Sequence, residues 1–195
     1  AWFSMRCVME PVPDFAASIA GYEQAAGQPV DRARILYHRV LVSTRVVVIR
    51  HRNVTGEFAH AIVSGALNRR LLVEALSDAS GVAIRWPPAI EAAATPRGPM
   101  FAAVLADLRD VIVPRSTDPQ VIARAKNAAK VIKYLEAFDR LGPPIDAAAL
   151  HAASTDFPDA LQAFADAVAR EAQLASGASG GIASRHYPAL PERTR

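Results

Sequence analysis

The chain has 195 residues, of which 51% are hydrophobic, 21% charged and 7% aromatic, with a formal net charge of +3. That balance excludes wholesale disorder, and the length fits one domain or one domain with an appendage. No apolar run approaches the roughly 20 residues of a membrane span, so no membrane partner is expected. The single cysteine, Cys7, leaves no internal disulfide and no Cys-x-x-Cys metal or redox motif. A reducing compartment follows as an expectation, hence a soluble, cytoplasmic protein. About 40 alanines favour helix, because Ala loses no side-chain entropy there. The opening Ala1-Trp2-Phe3 lacks the basic start, apolar stretch and cleavage site of a signal peptide. Either an initiator Met has been removed or the chain is a piece of a longer one.

Residues 1–13 close on Glu10-Pro11-Val12-Pro13, a helix stop. Asp14 then caps a helix with Phe15, Ile19 and Tyr22 at helical spacing, and Gly27 reads as its left-handed terminator. Asp31, after Pro29, caps the next segment, RARILYHRVLVSTRVVVIRHR. Its Val and Ile content favours strand, yet about 20 residues without a breaker is too long for an ordinary strand, so helix is expected. At 100° per residue Arg34, His38, Arg45 and Arg52 share one stripe, and Arg32, Arg39 and Arg50 form a second. Apolar residues fill both intervening faces, which predicts a helix held between neighbours.

Residues 57–79 predict a further helix closed by Gly81. The Pro-rich stretch 82–98, with a short Ala-rich run inside it, reads as a linker. Helices are expected next over Met100 to Val113 and over Pro119 to Leu141, the second capped by Asp118 and closed by Gly142. A short helix after Asp146 and a last one from about Pro158 to Leu174 complete the pattern. Residues 176–195, Ser/Gly-rich and then basic, predict a disordered tail. With no alternating strand pattern, the expected architecture is all-α. The expected divisions are 1–81, a linker at 82–98, a helical extension at 99–175 and the tail.

Charge is uneven along the chain. From Asp31 to Arg70 there are eight Arg and no Lys against Asp31 and Glu57, about +6, which leaves about −3 elsewhere. Such a stripe either binds an anionic partner or pairs with neighbouring carboxylates. No aromatic interleaving or nucleic-acid motif accompanies it, so nucleic acid is not the expected partner. Among His38, His51, His60, His151 and His186 no pair has metal-ligand spacing, and no metal site is predicted. Cys7 reads as a buried thiol, and GASGGIAS (177–184) lacks the Gly-Lys-Ser/Thr of a phosphate loop. From chemistry alone no catalytic residue is visible.

Two stretches carry a resemblance. Ala1-Trp2, then Tyr22-Glu23-x-x-x-Gly27-x-Pro29-Val30-Asp31, then Ile35-Leu36-Tyr37-His38-x-Val40 with Arg45, resemble the aminoglycoside phosphotransferase-like kinases over roughly residues 1–80. In that family a "DLAW" start just past the metal-binding aspartate precedes a "YE…G.PVD…L.Y..V" segment and a long Arg-bearing helix. Less closely, Arg124-x-Lys126-Asn127-Ala128-Ala129-Lys130-Val131-Ile132-x-x-Leu135-Glu136 is similar to a helical segment that accompanies such kinases. It departs from that segment at Lys126, Lys130 and Tyr134.

The resemblance implies the C-terminal helical portion of a protein-kinase-like fold followed by a helical-hairpin extension. It implies a phosphotransferase acting on an alcohol group, with ATP and Mg²⁺ held by a missing N-terminal kinase portion and a small-molecule acceptor on the helical side. The catalytic loop and metal-binding carboxylates of such an enzyme precede the matched stretch, so this chain alone is expected to be inactive. Tyr22, Tyr37, His38 and Arg45 lie on the matched segments and are the substrate-binding candidates. Arg45, set among Val42, Val46, Val47 and Val48, is expected either to be paired internally or to be aimed into a polar cleft. The alternative reading is a stand-alone helical binding or interaction module that uses the Arg-rich helix.

Overall fold

A computed structural model describes residues 14–52, 58–149 and 155–178. Among these residues there is no strand, and the fold is all-α. Helix α1 (Phe15–Ala26) opens where expected: the Asp14 carboxylate accepts the Ala16 N–H at 2.7 Å. It closes on Gly27, whose φ of 66° sits in the left-handed region that a side chain would strain. The Asp31 carboxylate accepts the Arg34 N–H at 2.9 Å and starts α2 (Arg32–Arg52), so the helical reading of the Val-rich segment holds. The third helix, α3 (Phe58–Ser80), ends at Gly81 with φ 72°.

Helix α4 (Gly98–Ala106) runs without a break into a π-helical segment (Asp107–Ile112) and a last turn (Val113–Arg115). A proline explains the widening. Pro114 has no N–H for the Asp110 carbonyl and its ring crowds that carbonyl, so the turn before it opens and the Val113 N–H reaches back to Leu108.

Asp118 caps α5 (Pro119–Ala149) through the Gln120 N–H at 2.7 Å. The expected stop at Gly142 is overturned, because the helix continues through Pro143 and Pro144 to Ala149. Proline fixes φ near its helical value, and Ile145-Asp146-Ala147 beyond are compatible with helix; the cost is two lost N–H donors in the ladder. The last helix, α6 (Phe157–Ala178), also outruns its expected end and takes in the first residues of the anticipated tail. Residues 1–13 with Cys7, residues 53–57, residues 150–154 with His151, and residues 179–195, including His186, lie outside the described residues.

The core sits around α3, which packs α2 on one side and α6 on the other, while α5 packs beside α6. Leu71, Val73 and Ala66 of α3 are fully enclosed, and Leu161, Ala165 and Val168 of α6, one turn apart, pack against Val73. Burying side chains the size of Leu71 or Val73 stabilises by about 1.5–3 kcal/mol each. Ala165, Ala172 and Ala175 keep that face of α6 low, so the neighbouring helices approach closely.

Residues 82–97 lie across these helices as an extended strap. Val82, Ile84 and Trp86 alternate inward onto the Val73–Val168 cluster. The Gln162 amide accepts the Arg85 N–H at 2.9 Å and donates to the Arg85 carbonyl at 2.7 Å; Gln173 does the same for Ile90. The two glutamines are about three turns apart on α6, roughly 16 Å, which five extended residues also span. Further on, Arg140 holds the Ala93 carbonyl at 2.8 Å, and Asp139 takes the Thr95 hydroxyl and the Arg97 guanidinium.

Candidate functional site

Helix α2 is split lengthwise. Its inner arc carries Ile35, Leu36, Arg39, Ser43 and Val46 toward α3, with Arg39 and Ser43 buried. The outer arc spans about 140° on the helical wheel and is exposed. There Tyr37 (65% exposed), Leu41 (52%), Val48 and Ile49 alternate with Arg34, His38 and Arg45. Arg34 and His38 are one turn apart, and Arg45 follows two turns beyond His38, so the three share an edge about 16 Å long. No acidic residue occurs in α2.

The sequence-derived candidates separate cleanly. Tyr37 and His38 meet edge to face, with ring centroids 5.3 Å apart and planes at 76°. Arg45 shares their side of α2. Tyr22 is exposed on α1, a helix with no buried residue. The two acidic residues that most closely precede α2 in the chain are already engaged. Glu23 accepts the Val30 N–H at 3.0 Å and pairs with Arg32 at 3.1 Å, while Asp31 caps α2.

Of the two alternatives for Arg45, internal pairing is overturned, since Arg45 is exposed. The buried guanidinium is Arg39, only 9% exposed, which bonds Asp78 at 2.7 Å and faces Glu74 at 3.8 Å. Glu74 also pairs with Arg70 at 3.3 Å, and Arg70 lies over the Trp86 ring, 4.8 Å from its centroid. Arg39 Nε and Glu74 Oε2 have no hydrogen-bond partner, so the pairing is incomplete where it is most enclosed. The Arg at 39 was visible as a stripe residue, but its partners lie far along the chain on α3, beyond any local spacing rule.

A second polar junction joins α3 to α6 near α5. The Arg69 guanidinium forks onto the Glu171 carboxylate, and the close approach of Gly65 leaves room for it: a Cβ there would meet the guanidinium at 3.1 Å. Tyr134 lies near this pair. Burial first, and the Glu171 charge second, push its phenol above the ordinary value, so it stays protonated. At the surface the adjacent Arg109 guanidinium lowers the Asp110 carboxyl.

The described carboxylates do not fit a Mg²⁺–nucleotide site. Asp78, Glu74, Asp139 and Glu171 are each committed to a guanidinium, Asp166 to Gln162, and no three metal-ligating side chains converge among the described residues. No helix among them is long and apolar enough to cross a membrane. No family model, curated protein or solved structure matches the chain.

Proposed function

We propose that residues 14–80 form the acceptor-side helical part of an ATP-dependent small-molecule phosphotransferase resembling the aminoglycoside phosphotransferases. ATP and Mg²⁺ would belong to a catalytic portion outside this chain, and the chain alone would be inactive. One observation carries the reading: Tyr22, Tyr37, His38 and Arg45, the residues brought by the resemblance, all stand open to solvent. Three of them line one side of α2, whose other side is packed on α3. The test is a fusion of this chain behind a catalytic portion of such a kinase that ends at its metal-binding Asp-Leu. Transfer of phosphate to an alcohol is expected, with Arg45→Ala raising the KM of the acceptor and leaving that of ATP unchanged. A folded fusion that transfers to no alcohol ends the reading. Calorimetry on the chain alone should find no Mg²⁺–ATP site tighter than about millimolar.

A second reading, a stand-alone helical interaction module, is favoured by the same face of α2, where cations and apolar side chains alternate without one carboxylate. It differs in needing no catalytic portion. A partner that binds this chain through Arg34 and Arg45, with no phosphate transfer by the fusion, selects it.

A further inference from the structure

We infer that the acceptor met by α2 is an alcohol carrying an anionic group, a carboxylate or a phosphate, on an apolar body, and not a polycation. The inference rests on the phosphotransferase reading for the word acceptor, and on the surface of α2 for the charge. Arg34, His38 and Arg45 follow one another along an exposed edge, and the two guanidinium charges are not answered within the helix. Among the described residues, the acidic side chains just before α2 are engaged elsewhere: Glu23 by Arg32 and the Val30 N–H, and Asp31 in part by the Arg34 backbone N–H that it caps. A cationic ligand arriving here meets repulsion from two guanidinium groups that are always charged. An anionic one meets forked donors suited to two oxygen atoms. Beside that edge lie Tyr37, Leu41 and Val48, one, one and two turns along the same face, a strip for several methylenes. The edge-to-face Tyr37 and His38 rings mark the end of the strip near Arg34.

The probes are three molecules of one length: 6-hydroxyhexanoate, hexane-1,6-diol and 6-aminohexan-1-ol. Each is titrated into the full chain while the backbone amide signals of Tyr37, His38, Leu41 and Arg45 are followed by NMR. The anion is expected to bind at least fivefold more tightly than the diol, with the amine weakest. Arg34→Glu/Arg45→Glu should abolish the preference while leaving the far-UV circular dichroism unchanged, since both side chains are exposed. Equal binding of the three, tighter binding of the amine, or no shift with any of them overturns the inference. The fusion enzyme separates this from the parent reading. Transfer to an aminoglycoside and not to 6-hydroxyhexanoate removes the inference and keeps the phosphotransferase; anion binding without transfer to any alcohol does the reverse.

Discussion

A guanidinium buried between two helices is tolerable only when its charge and its N–H groups are matched. Arg39 meets that condition in part, with Asp78 at 2.7 Å, Glu74 at 3.8 Å and an orphaned Nε. Its removal leaves Glu74 still paired with Arg70, and Asp78 half exposed and able to take water. Arg39→Ala is therefore expected at the low end for a broken buried pair, about 2 kcal/mol, with lost packing included. For a chain of this size that is a fall in Tm of roughly 4–8 °C. Arg39→Met keeps the volume without the desolvated charge and should stay close to wild type. Arg45→Ala should shift stability by less than about 0.5 kcal/mol, because Arg45 is exposed. Melts in which Arg45→Ala falls as far as Arg39→Ala would reverse the assignment of the two arginines.

At the scale of elements, the strap is held chiefly by two amides. Each of Gln162 and Gln173 replaces the water that one backbone N–H and one carbonyl would otherwise bind, so each should contribute about 1 kcal/mol. Gln162→Leu/Gln173→Leu should lower stability by about 2 kcal/mol and let trypsin cut after Arg85 and Arg97 at least tenfold faster. The remaining anchors of its first half are apolar, Val82, Ile84 and Trp86 on Val73 and Val168, while Arg140 and Asp139 hold its second half at Ala93, Thr95 and Arg97. A double variant as protease-resistant as wild type would mean that these side chains, and not the amides, hold the strap.

The helices themselves were legible because their signals are local. Asp14, Asp31 and Asp118 accept the first free N–H groups of their helices, and Gly27 and Gly81 take positive φ, as their positions in the sequence imply. The errors have equally local causes. Gly142 is a permissible stop and not an obligatory one, and Pro114 displaced its strain backward into a π turn that composition does not mark. Val82-x-Ile84-x-Trp86 did carry a period-two pattern, but between Gly81 and a run of prolines it read as a linker. Placement on α6 depended on glutamines far downstream. For the candidate site, which residues sit on α2 was legible; which of its two Arg stripes faces inward was not. That choice is made by Asp78 and Glu74 across the helix interface.

For the molecule as a whole, surface and core make opposite demands. Tyr37, Leu41, Val48 and Ile49 on α2, and Met100 and Val104 one turn apart on α4, leave apolar side chains in water. Clusters of this kind on a single chain commonly mark a surface that something else covers. The chain should bind a hydrophobic dye or self-associate, and Leu41→Lys/Val48→Lys should reduce either effect without lowering the Tm. A monomeric, dye-silent wild type in sedimentation and fluorescence would show that the α2 strip is too broken by arginine to act as a patch.

The core demands that both α2 and α6 be present. α3 is central: its Leu71, Val73 and Ala75 are enclosed because α2 covers one side while α6 and the strap cover the other. α6 also supplies Glu171 to Arg69 and both strap glutamines, so its removal strips three kinds of contact at once. The loss would leave Val73 and Leu76 facing water and Arg69 without its carboxylate. Several kcal/mol of burial then vanish from a fold whose total stability is on the order of 5–15 kcal/mol. A chain ended at residue 154 should accordingly lose its cooperative melt, and Trp86 emission should move to that of a solvated indole. The full chain should melt in one transition, with circular dichroism and Trp86 fluorescence coincident. If the shortened chain melts as sharply as the full one, the fold up to residue 154 stands without α6. α6 is then an attachment and not part of the core that positions α2.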